Sequence, residues 1–165
     1  PNVVNGGGSS TLPQYCGKCI QYCGHGSARK PGDHGHQFPI QKGEALTAVG
    51  LYLRFTLSQT PEKHPIMKAA AELVRKRPPV WDEKGGSIDF YYWYYGSCAL
   101  SQTGGAVWKE WKQKLLSALL DSQHGSDRGL NLSGSWDPVG VWGEEGGRIY
   151  STAMGALALE AIYHR

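Results

Sequence analysis

Three thiols and an imidazole fall within ten residues, as Cys16-x2-Cys19-x3-Cys23-x-His25, with His34 and His36 shortly after. Three thiolates and one imidazole are a donor set that tetrahedral zinc takes. The spacing differs from common zinc modules, which pair one Cys-x-x-Cys knuckle with a distant second pair. It is not a haem attachment run either, because Ile20 follows Cys19. The competing chemistry is a disulfide, for example Cys16–Cys23, with the third thiol free or joined to another chain. A disulfide would place the protein in an oxidising compartment, in the cell envelope or beyond. Zinc is the one cofactor these residues suggest, and either staple would help order a segment rich in Gly, Ser, Pro and His.

Carboxylate chemistry has less to build on. Asp33, Asp82, Asp89, Asp121, Asp127 and Asp137 are isolated, and no Ser/His/Asp or paired-carboxylate pattern stands at catalytic spacing. What remains is aromatic. Tyr91, Tyr92, Trp93, Tyr94 and Tyr95 surround one helix, and a loop carries Trp136, Asp137, Trp142, Glu144, Glu145 and Arg148. Flat rings give contact area at low entropic cost. Tyr91, Tyr92, Trp93, Tyr95, Trp136, Asp137, Trp142 and Arg148 are therefore the candidate ligand or partner surface. The competing reading makes the rings core between helices and pairs Asp137 with Arg148 to fix the loop.

Periodicity supplies the elements that position these residues. Leu46, Val49, Leu53 and Leu57 form a stripe over about 43–58, and Ile66, Ala70, Leu73 and Val74 another over about 64–77. The segment from Asp89 to Leu100 carries no charge after its first residue, so as a helix it must be enclosed by protein. Trp108, Trp111, Leu115 and Leu119 line one side of the next segment, with Lys109, Glu110, Lys112, Gln113 and Lys114 opposite. A last stripe over about 149–163 holds Ala153, Met154, Leu157, Ala158, Ala161 and Ile162. Gly104-Gly105, Gly125, Gly146-Gly147 and Pro78-Pro79 punctuate these segments. The pattern predicts an all-α fold of five helices, alternately inner and outer, with inner helices more buried. Gly50, Gly96 and Gly155 mark close packing on the inner helices, since a mid-helix Gly otherwise costs about 1 kcal/mol.

The Thr47-Ala48-Val49-Gly50-Leu51 and Thr152-Ala153-Met154-Gly155 pair, the Tyr-Tyr-Trp-Tyr-Tyr run, and Gly104-Gly105 with Trp108 and Trp111 resemble the prenyltransferase and squalene-oxidase repeat proteins. So do Gly147-Arg148-Ile149-Tyr150-Ser151-Thr152 and Gln123 followed by Gly134-Ser135-Trp136, the latter similar to the family's Gln…Gly-x-Trp repeat ending. These belong to the terpenoid cyclase-like α/α toroids, and the wording is closest to bacterial members of planctomycete type. The resemblance covers about three quarters of the chain, Gly43 to Arg165. It implies a partial α/α toroid, roughly the C-terminal half of a ring, in which Gln123 caps a helix end and Trp136 packs over it. The family's catalytic devices have no counterpart here: there is no Asp-x-Asp-Asp run, no Gly-Cys-Gly-Glu-Gln run, and Asp89 and Cys98 are wrongly spaced for a prenyltransferase zinc.

The chain thus divides into an irregular Gly/Cys/His-rich segment, 1–42, and a helical region, 43–165. With 165 residues, one domain is expected. A net charge of +3 and the run Arg75-Lys76-Arg77 at a helix C-terminus give no case for nucleic acid. No run reaches the ~20 apolar residues of a membrane span. The expected role is a non-catalytic binding or scaffold module whose open edge is covered by another protein chain or a missing N-terminal half. The alternative is an isoprenoid-processing enzyme whose acidic motif lies outside this chain.

Overall fold

The computed structural model describes residues 37–38, 42–129 and 131–163. Cys16, Cys19, Cys23 and His25, with the zinc or disulfide expected of them, lie outside the described residues. Among the described residues the regular structure is entirely helical: α1 (Ala45–Thr56), α2 (Ile66–Arg75), α3 (Phe90–Thr103), α4 (Gly105–Leu120) and α5 (Gly143–Glu160), with a 3-10 turn at Ser126–Arg128. Helix α3 packs against α1 on one side and α5 on the other. Helix α2 seats against α1 and α3, and α4 against α3 and α5.

Local chemistry sets the ends. Asp89, the single charge of its segment, caps α3 by accepting from the Tyr92 amide at 3.0 Å. Helices α3 and α4 are joined by one residue, Gly104, at φ 72°, in the left-handed region that favours glycine. Helix α5 kinks at Gly147 (φ 60°), so its straight part starts close to the expected Ile149.

Burial follows α3. Phe90, Tyr92, Trp93, Ala99 and Leu100 are in the core, joined by Trp108, Trp111, Leu115 and Leu119 of α4. Tyr92 meets Trp111 edge-on at 5.6 Å, and Phe90 meets Trp93 at 5.4 Å. The α4 stripe is the buried face that its periodicity predicts. The α1 stripe is not: Ala45, Ala48 and Leu51 are buried, while Leu53 and Leu57 are exposed. Small residues let α1 approach α3 closely, and the bulkier leucines fall on the far side. Helix α5 behaves likewise, burying Ser151, Gly155 and Ala158 and exposing Leu157. High burial therefore belongs to α3 alone; α1 and α5 flank it, and each carries exposed apolar side chains.

Two tryptophans fill the glycine notches. A Cβ on Gly96 would lie 2.4 Å from Trp111 Cζ2, and one on Gly155 would lie 3.0 Å from Trp136 Cε3. The Trp111 indole N–H donates to Ser97 Oγ at 3.0 Å, and Ser97 in turn donates to the Trp93 carbonyl at 2.6 Å. At the other end of the α2 layer, Glu44 is fully buried, pairs with Arg77 and accepts from Thr47 Oγ1 at 2.8 Å. Arg75 pairs with Glu72 and Glu110, so the basic run is partly engaged within the chain.

Candidate functional site

The sequence-derived surface separates into core and rim. Tyr92 and Trp93 are buried, and the Tyr92 hydroxyl lies 2.8 Å from the Arg77 carbonyl and 3.0 Å from that of Val74. Burial holds the Tyr92 phenol well above its ordinary pKa. Trp136 is buried too: its indole N–H donates to the Leu119 carbonyl at 2.8 Å, closing the C-terminal end of α4. All three rings pack within the core, and the polar atoms of Tyr92 and Trp136 are engaged by helix-end carbonyls.

Asp137 and Arg148 do meet, and a third residue joins them. Asp137 pairs with Arg148 and with His124 Nε2 at 2.9 Å. Arg148 Nη1 also donates to Ser135 Oγ at 3.1 Å. The His124 bond, then Arg148, holds the Asp137 carboxyl below the usual range against the opposing effect of its partial burial. Backbone bonds run beside this cluster, from His124 N to Ser135 O (2.9 Å) and from Gly134 N to His124 O (2.8 Å). Gln123 Nε2 donates to Gly134 O at 2.8 Å. The cluster closes the 124–135 loop and ties it to α5. Ser135 donates to the Leu132 carbonyl at 2.6 Å, so its hydroxyl is engaged within the loop.

A polar cleft of about 720 Å³ lies beside this brace, where Trp81 and Glu83 face Lys114, Asp121, His124 and Asp137. A smaller cleft of about 200 Å³ includes Cys98, Tyr52, Tyr94 and Leu157. Cys98 is half-buried, not enclosed as an inner-helix position suggests, and burial raises its thiol pKa. Among the described residues no group of three or more His, Cys, Asp or Glu is placed to hold a metal ion.

The third cavity, about 440 Å³, gathers Tyr91 and Trp142 from the expected surface with Leu46, Glu145, Gly146 and Tyr150. It sits at the N-terminal ends of α1, α3 and α5. Tyr95 is half-buried behind it, its ring 4.7 Å from that of Tyr91. The Tyr150 hydroxyl is buried and has no hydrogen-bond partner among the described residues. Such a group costs about 1–3 kcal/mol when left unpaired. Burial, then the charge of nearby Asp89 and the Tyr91 phenol, pushes the Tyr150 pKa up. Tyr150 was readable only as a member of the Gly147–Thr152 motif and His124 only as the neighbour of Gln123; nothing in their spacing marks either as functional.

No protein family, curated protein or solved structure matches the chain.

Proposed function

We propose that this chain is a non-catalytic binding or scaffold module, laid out as part of an α/α toroid of the terpenoid cyclase-like kind. The carrying observation is a pair of flanks that no described residue covers. Helices α1 and α5 flank α3 in a row, and exposed apolar side chains stand on them and at the end of α1: Leu53 is 49% exposed, Ile149 86% and Leu57, just past α1, 70%. Apolar groups gathered on such flanks suit a further helix layer or another protein chain. The alternation in chain order of the α1–α3–α5 row with the backing helices α2 and α4 supports the toroid layout. The Asp137–Arg148 pair, which ties the 124–135 loop to α5 with His124 beside it, supports a structural role for these charges.

Mass spectrometry of protein from its source tests this reading. The native mass is expected to exceed the denatured mass, and Leu57→Glu combined with Ile149→Glu is expected to bring the two together. Equal native and denatured masses in the unsubstituted protein would remove the proposal.

A further inference from the structure

We infer that the cavity at the N-terminal ends of α1, α3 and α5 binds a ring-bearing small molecule that is not an anion and whose acceptor oxygen receives a hydrogen bond from the Tyr150 hydroxyl. The cavity, about 440 Å³, is within the usual range for small-molecule sites. Among its described lining residues Tyr91, Trp142 and Tyr150 are aromatic, and ring walls favour a flat, ring-bearing guest. The second observation is independent of the cavity's shape: the Tyr150 hydroxyl is buried without a partner among the described residues. A tyrosine in such a place is a donor in want of an acceptor.

Charge narrows the class. Glu145 lines the cavity, and Asp89 lies close enough to act on the Tyr150 phenol. Two carboxylates beside one cavity disfavour an anionic guest. A carbonyl or ether oxygen on an aromatic or alicyclic ring meets these conditions. The inference stands apart from the apolar flanks of α1 and α5, because probe binding and native mass are separate readouts.

Acetophenone and α-methylstyrene test it, since they share a shape and differ in whether the branch ends in oxygen or CH2. In NMR titrations of the whole chain, acetophenone is expected to bind about fivefold tighter, the ratio of a single net hydrogen bond. Shift changes should centre on Tyr91, Tyr150 and the Trp142 indole. Tyr150→Phe removes only the hydroxyl; it should bind both probes alike, with α-methylstyrene affinity unchanged. Equal affinities in the unsubstituted protein, a preference that survives in Tyr150→Phe, shifts centred elsewhere, or no saturable binding would each overturn the assignment.

Discussion

Gly96 and Trp111 occupy one site between them: the indole of Trp111 fills the space that a side chain at position 96 would need, with Cζ2 only 2.4 Å from where a Cβ would stand. The indole cannot easily retreat, because it is buried and donates to Ser97, the residue after Gly96. The mid-helix glycine is therefore a packing requirement, and its intrinsic helix penalty is offset by the ring that it admits.

Gly96→Ala is expected to destabilise the fold by about 1–3 kcal/mol through overpacking, even after the gain in helix propensity. Gly155→Ala should be far milder, since its Cβ would meet Trp136 Cε3 at 3.0 Å, a gap that a small shift relieves. Urea denaturation of the two variants checks the ranking. Equal losses would mean that the two notches are equivalent.

Ser97 relays between two buried groups, accepting from Trp111 Nε1 and donating to the Trp93 carbonyl. Ser97→Ala leaves the indole N–H without an acceptor in the core. A loss of about 1–3 kcal/mol follows for an unsatisfied buried donor. Chemical denaturation measures it, and Trp fluorescence should report the altered surroundings of Trp111.

The buried Glu44–Arg77 pair predicts an asymmetry. Arg77→Met strips the cation from a fully buried carboxylate and is expected to cost about 3–5 kcal/mol. The double variant Glu44→Gln with Arg77→Met should recover part of that loss, because no uncompensated charge remains. A double variant less stable than Arg77→Met would show that the pair does not act as a unit.

Asp137 sets a pH dependence whose sign follows from its depressed pKa, due first to His124 and then to Arg148. A carboxylate that is more acidic in the folded state stabilises fully above its unfolded value of about 3.9 and ceases to do so as pH falls through the folded value. Asp137→Asn should therefore melt below the unsubstituted protein at neutral pH, with the two converging in strong acid. Thermal melts across pH check this; a constant gap would place the effect outside ionisation.

Legibility in the sequence followed how completely each segment's environment was written into its own residues. Helix α4 was readable because its lysines and its Trp108–Leu119 stripe oppose each other, leaving one face that could go inward. The uncharged α3 was readable as enclosed for the same reason. Helix α1 has two apolar faces, and periodicity cannot rank Ala45–Ala48–Leu51 against Leu46–Leu53–Leu57; the choice rests on how closely α3 approaches, a tertiary fact. The Asp137–Arg148 pair was visible as opposite charges near one loop. His124 was not, since it reaches Asp137 only once the 124–135 loop closes. The rings of the Tyr91–Tyr95 run were recognisable as important, but which ones line the cavity depends on where Trp142 and Tyr150 arrive from the far end of the chain.

The single-residue link at Gly104 bears on how the chain reaches its fold. Two long helices joined by one residue meet at small sequence separation, so the loop-closure entropy of pairing α3 with α4 is slight. The Trp111–Gly96 notch and the Ser97 relay then form within one hairpin, whereas α1 and α5 must arrive across far longer stretches of chain. The hairpin is thus the natural nucleus, and amide protons of α3 around Trp93–Leu100 should be the last to exchange with deuterated solvent, with those of α1 and α5 released earlier.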